Sequence, residues 1–232
     1  MKFFKKLKIL ILSLLIIFLV ASIFIIRDGY NLYKDATSRI SIERKITSIQ
    51  NRNDFMKLDS ISKDFTNALL AIEDHRFYEH GAIDIVSIGR AIVTDLKARK
   101  LAEGGSTISQ QLAKNLYFTQ EKKFTRKIAE VFVAYDLEKN YSKDEILEVY
   151  IATLYFGDGY NGIYEASKGY FDKSPINLTF SEATMLAGIP NAPSVYALSN
   201  NSDLSYQRQK QVVEAMVKYE YITSEEAMSK LN

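Results

Sequence analysis

Eighteen consecutive residues, Ile9 to Ile26, carry no charge. That length of apolar helix is close to what the hydrocarbon core of a bilayer requires. Lys2, Lys5, Lys6 and Lys8 precede the run. By the positive-inside rule they hold the N-terminus in the cytoplasm, and everything after Arg27 is expected outside. A cleaved signal peptide has an apolar region of about 7–15 residues followed by small residues at the cut. This run is longer and ends Ile25-Ile26-Arg27, so an uncleaved anchor is expected. The organisation read from the chain is a tail at 1–8, the anchor at 9–26, a polar and aperiodic lead-in at 27–60, and a globular domain at 61–232.

The domain is expected to be all-α. From Phe65 onward apolar residues recur at helical spacing, with no long alternating run of the strand type. The three prolines, Pro175, Pro190 and Pro193, all fall late in the chain. Capping-box pairs mark three helix starts: Ser142 with Glu145, Thr179 with Glu182, and Thr223 with Glu226. Asp84 is a fourth candidate N-cap. A formal net charge of +2 gives no ground for expecting nucleic acid as a partner. The absence of cysteine excludes disulfides, thiolate metal sites and a cysteine nucleophile.

Both histidines lie in "AIEDHRFYEHGAID", residues 71–84. Five residues apart on a helix is about 140° around the axis, so His75 and His80 do not form an i, i+4 ligand pair. Neither is expected to bind a catalytic metal. Glu73 follows the apolar stripe Phe65, Ala68, Leu69 and Ile72. A carboxylate half-buried there can act as a base, or it can be an ordinary solvated acid at a helix end.

In "EGGSTISQQLAKN", Ser106 or Thr107 caps a helix. Thr107, Gln110, Gln111 and Lys114 fall within about 100° of one another on it. That face of donors with one cation suits a phosphate or sugar ligand. In "EKKFTRKIAEVFVAYDLEKN", apolar stripes run along two nearly opposite sides, so the helix is expected to be buried. Glu130 sits within it, one turn after Arg126. Such an acid is either paired for structure or used.

The ordered set "EDHRFYEHGAID", "GGSTISQQLAKN", "RKIAEVFVAYDLE", "KDEILEVYIATLYFGDGYNGIYEASKGYF" and "LTFSEATMLAGIPNAPSVY" resembles the peptidoglycan glycosyltransferases, in particular the monofunctional, membrane-anchored kind. The match runs over roughly residues 66–196. The resemblance implies a lysozyme-like helical fold and polymerisation of lipid II into glycan strands, with inversion and release of undecaprenyl pyrophosphate. It implies Glu73 as the catalytic base and Glu130 as the second acid. It matches Ser106, Thr107, Gln110, Gln111 and Lys114 to donor-site positions, and Lys122 and Arg126 to pyrophosphate contacts. It also matches the helix after Asp84 to a membrane-dipping region, where Arg90, Lys97, Arg99 and Lys100 could meet headgroups.

No cofactor is required, with room for a divalent cation, Mg or Mn, at the pyrophosphate. The implied partners are lipid II, the growing glycan, the cytoplasmic membrane and other wall-synthesis proteins. Ala152 and Ala82 depart from the family, which commonly has Asn and Gly there. The alternatives are a glycan-cleaving lysozyme-like enzyme and a non-catalytic scaffold. Ser60 to Lys63 spells S-x-x-K, but no S-D-N or K-T-G follows, so transpeptidase activity is not expected.

Overall fold

The computed structural model describes residues 2–98, 105–119, 123–200 and 202–231, with side chains left aside at 2–3, 92–98 and 202. It is all-α, as expected; among the described residues the only strand-like pairing is one isolated bridge, Tyr155 to Asn161. The helices run α1 (Lys2–Arg39), α2 (Ile42–Gln50), α3 (Lys63–Glu73), α4 (Ile85–Ala98), α5 (Ile108–Tyr117), α6 (Phe124–Asn140), α7 (Lys143–Thr153), α8 (Gly162–Phe171), α9 (Phe180–Gly188), α10 (Pro193–Tyr196), α11 (Ser202–Lys218) and α12 (Ser224–Leu231).

The local chemistry read from the sequence accounts for the helix starts. The reciprocal capping box closes at Ser142 with Glu145 and at Thr179 with Glu182. Thr223 and Glu226 exchange the same pair of bonds ahead of α12. Asp84 caps α4 by accepting from the backbone N–H groups of Val86 and Ser87 at 3.0 and 3.1 Å.

One contiguous core holds the domain. Phe65 and Leu69 of α3 pack with Leu186 of α9 and with Val212 and Met216 of α11. Leu112 of α5 packs between Val133 and Leu137 of α6 and Ile146 and Tyr150 of α7. Glu73 is the last residue of α3, so the seam between these two groups of helices is where it emerges.

The anchor helix does not stop at Ile26. α1 is 38 residues, about 57 Å at helical rise, whereas a bilayer core spans about 30 Å. Its remainder, within the segment read as a lead-in, lies along α6. Tyr30 and Tyr33 pack their rings on Phe132 at centroid distances of 5.2 and 5.6 Å. The Tyr33 hydroxyl donates to Asp136 Oδ2 at 2.5 Å. α6 is therefore apolar on two sides because it is covered on two sides. Val133, Ala134 and Leu137 face the core, while Ile128 and Phe132 meet α1. α2, also within the lead-in, contributes Ile46 to the core.

Candidate active site

Glu73 Oε2 accepts a hydrogen bond from Gln111 Nε2 at 2.8 Å. Gln111 Oε1 in turn accepts from the hydroxyl of Tyr150 at 3.0 Å. Tyr150 is fully buried. Burial first, and then the negative charges of Glu73 and Asp74, hold its phenol protonated well above the ordinary tyrosine range. A buried tyrosine needs a partner for its hydroxyl, and here that partner is the amide that orients Glu73.

Asp74, next in the chain, ties the end of α3 to the start of α5. Its Oδ2 accepts from the backbone N–H of Ile108, the first residue of α5, at 2.9 Å. Its Oδ1 pairs with His80 Nε2 at 2.8 Å, and His80 Nδ1 lies 2.7 Å from the Gly81 carbonyl. Burial pulls the His80 imidazole down, but the Asp74 and Gly81 acceptors outweigh it, and the pKa lies above the ordinary histidine value. His75 behaves oppositely. It stacks on Tyr219 with centroids 3.6 Å apart, and Arg90 Nη1 is 3.1 Å from its Nε2. Burial and then the Arg90 charge lower its pKa. The two histidines thus belong to different networks. Asp74, His80 and Asp84 do bring one ligand-type atom each within 4.8 Å of the others. Asp84 also accepts from the Ser87 hydroxyl at 2.5 Å, in addition to capping α4.

The donor face expected on α5 divides. Thr107 and Gln110 are buried, and both donate to the Ala82 carbonyl, at 3.0 and 2.9 Å. They hold α5 against the turn at 81–82. Gln111 and Lys114 remain half-buried, and Lys114 makes no hydrogen bond or ion pair among the described residues. Ser106 accepts from Lys127 Nζ at 2.6 Å.

Lys127 then ties this region to the second acid. Its Nζ is 3.1 Å from Glu130 Oε2, while Arg126 Nη1 donates to Glu130 Oε1. Glu130 is buried, so an unpaired charge there would be costly. Burial lowers the Lys127 pKa, with the attraction of Glu130 opposing and the charges of Arg126 and Lys114 adding to the depression. Lys127 is therefore within electrostatic reach of both Arg126 and Lys114. Lys122 lies outside the described residues, as do the side chains of Lys97, Arg99 and Lys100. Lys127, Asp74 and Tyr150 were not singled out from the sequence. Lys127 was readable, being one turn before Glu130 on the same helix.

Beyond Glu73, on the side of α11, lies a cavity of about 370 Å³. Ala152 lines a different one, of about 520 Å³, between α2, α5 and α7, and its carbonyl accepts from Arg52 at 3.3 Å.

The chain thus pairs a long apolar N-terminal helix with a helical domain in which Glu73 and Glu130 are held by separate hydrogen-bond networks. The sequence profile of the transglycosylase family matches residues 42–217, and the chain belongs to that family. Penicillin-binding protein 1F of Bacillus subtilis (strain 168) is 42% identical over 205 residues, covering 87% of this chain and 29% of that protein. Penicillin-binding protein 1A of Neisseria lactamica is 39% identical over 194 residues, covering 83% of this chain and 24% of the relative. The 2.6 Å crystal structure of penicillin-binding protein 1A from Haemophilus influenzae aligns with a TM-score of 0.46 and 22% identity, covering 77% of this chain and 17% of that one. The chain spans less than a third of the length of these relatives.

Proposed function

We propose that the chain is a peptidoglycan glycosyltransferase that polymerises lipid II into glycan strands. The observation that carries this reading is the Tyr150–Gln111–Glu73 relay beside a cation set anchored on Glu130. A sugar 4-hydroxyl is a poor nucleophile, and Glu73, held by Gln111, is placed to take its proton. The new bond joins that oxygen to C1 of the growing chain. The bond from C1 to the pyrophosphate breaks, and the pyrophosphate leaves with the electron pair. Attack opposite an α-linked phosphate gives a β-linked product.

Lys114 and Arg126, with Lys127 and Lys122, would meet the charge that develops on the leaving group. Glu130 holds Arg126 and Lys127 in place for that task. A Mg or Mn ion at the pyrophosphate would have to share Glu130 with those two side chains, whose donors reach both of its oxygens.

The site in this reading works on the outer face of the cytoplasmic membrane, with α1 as a retained anchor. One apolar helix with mean hydropathy 3.4 over its best window supports the anchoring, and the flanking lysines support the orientation. The substrates are lipid II and the growing glycan, with other wall-synthesis proteins as partners. Purified full-length protein should convert lipid II to polymer, and Glu73→Gln should abolish that conversion. Wild-type protein that binds lipid II but makes no polymer would overturn the reading in favour of a scaffold.

A further inference from the structure

The 520 Å³ cavity between α2, α5 and α7 takes no part in the proposed transfer, yet it adjoins residues that do. Asn115 lines it one turn after Gln111 on α5, and Thr153 lines it one turn after Tyr150 on α7. Asn115 Nδ2 donates to Thr153 Oγ1 at 3.2 Å, so the two helices are joined a second time just beyond the Tyr150–Gln111–Glu73 relay. Asn115 also follows directly on Lys114, one of the proposed leaving-group cations.

The segment 44–52 closes the cavity with cations. Arg44, Lys45 and Arg52 line it, and no acid does among the described residues. Arg52 is already engaged. Its Nε donates to Asp54 Oδ1 at 2.9 Å and its Nη1 to the Ala152 carbonyl at 3.3 Å, with the charge of Glu165 also within reach. Lys45 Nζ donates to the Leu116 carbonyl and lies 4.7 Å over the Tyr117 ring, contacts that hold the ammonium without neutralising it. Arg44 is exposed, and its side chain makes no hydrogen bond or ion pair among the described residues. Two cations thus border the cavity without a carboxylate partner, and Ser48 adds a hydroxyl beside them.

The place of the cavity selects among anions. Ile40, which lines it, is fourteen residues beyond Ile26, about 20 Å along a helix. With α1 as the anchor, the cavity stands clear of the bilayer headgroups, so its anion is one that the substrate carries outward. We propose that this cavity receives the peptide stem of the strand held on the donor side, with Arg44 and Lys45 meeting its carboxylates. The proposal rests on the glycosyltransferase reading and deepens it, by giving the site a preference for charged stems. The stem hangs from the sugar that carries the pyrophosphate, and five residues extend to at most about 17 Å. One residue of α5 separates Lys114 from the cavity wall, so the stem reaches the cavity while the pyrophosphate lies on the leaving-group cations.

The test varies the charge on both partners at low ionic strength, where exposed pairs are least screened. Full-length protein in detergent polymerises lipid II with free stem carboxylates, or the same lipid with those carboxylates converted to amides. Wild type should use the charged lipid about three- to fivefold better by kcat/KM, the range expected for exposed pairs. Arg44→Glu should abolish or reverse that preference while using the amidated lipid within about twofold of wild type. Arg44→Lys should keep the preference. An equal preference in wild type and Arg44→Glu, or none in wild type, would overturn the stem site alone. So would an Arg44→Glu defect of the same size on both lipids, which places the fault outside the stem. Wild-type protein that polymerises neither lipid would remove the polymerase reading and the stem site with it. Arg44 is exposed, so its variants should melt within a degree or two of wild type.

Discussion

Glu73 and Tyr150 do not touch, yet a single amide joins them. Gln111 donates to Glu73 at 2.8 Å and accepts from Tyr150 at 3.0 Å. The phenol is kept protonated by its burial and by the nearby carboxylates, so it donates. Gln111 must therefore turn its oxygen toward Tyr150 and its nitrogen toward Glu73. Flipping the amide would set its oxygen against the carboxylate.

The first prediction concerns that relay. Tyr150→Phe keeps the ring in the core but leaves Gln111 Oε1 without a donor. The unmade bond should cost about 1 kcal/mol of stability. Loosening the group that aims Glu73 should lower kcat roughly 10- to 100-fold with little change in KM. Steady-state polymerisation and a thermal melt measure both, and a kcat equal to wild type would show that the amide is not positioned this way.

Glu73→Gln is the sharper test of chemistry. The new amide oxygen can still accept from Gln111, so the fold and substrate binding should hold, while the proposed proton acceptor is gone. Turnover should fall by at least about 100-fold. The melting temperature should stay level or rise, since a half-buried carboxylate costs solvation. Near wild-type polymerisation would sink the base assignment.

Glu130→Gln should behave differently although activity is lost in both. It leaves Arg126 and Lys127 facing a neutral amide in a buried setting. Breaking a buried pair typically costs 3–5 kcal/mol, but the side chains of Arg126 and Lys127 keep 17% and 41% of their exposure, so about 2 kcal/mol is expected. A variant that is inactive yet as stable as wild type would show that Glu130 acts on substrate directly rather than through those cations.

These contrasts show where sequence was enough. Glu130 and Arg126 were legible because both lie on one helix, a turn apart, and helical spacing decides whether they meet. The capped starts of α7 and α9 were legible for the same reason. Thr107 and Gln110 were not, because the loop at 81–82 folds over one edge of their face, and no spacing along α5 reveals that. Tyr150 reaches Gln111 only when α7 packs on α5. The lead-in looked aperiodic because the helix that enters it passes from an exposed apolar stretch into contact with α6 within a few turns.

The histidines predict opposite pH responses. His80 has a raised pKa, so its contribution to stability is present below the unfolded value near 6.5 and is lost as pH rises through its folded value. His75 has a lowered pKa, so it is held neutral, and its contribution is lost as pH falls below the unfolded value. The melting difference between wild type and His80→Asn should be larger at pH 5.5 than at pH 8.5. For His75→Asn the difference should be larger at pH 8.5. Equal differences at both pH values would remove these assignments.

The last prediction concerns how the anchor meets the domain. Gly29 of α1 lies against Ile128 and Thr125 of α6. A Cβ placed there would come within 2.6 Å of Ile128 and 2.9 Å of the Thr125 carbonyl. The Thr125 backbone cannot retreat without moving the first turns of α6, which carry Arg126, Lys127 and Glu130. Gly29→Leu should therefore separate the two helices, at a cost of about 1–3 kcal/mol typical of overpacking. If α1 only tethers the domain, activity in membranes should survive that separation. If the docked helix also fixes α6, kcat should fall several-fold, and Gly29→Ala should fall less. Tyr33→Phe supplies the control, since it deletes the bond to Asp136 without adding bulk. It should cost about 1 kcal/mol of stability and leave kcat near wild type. Full activity in Gly29→Leu protein whose melting temperature has dropped would show that the anchor is only a tether.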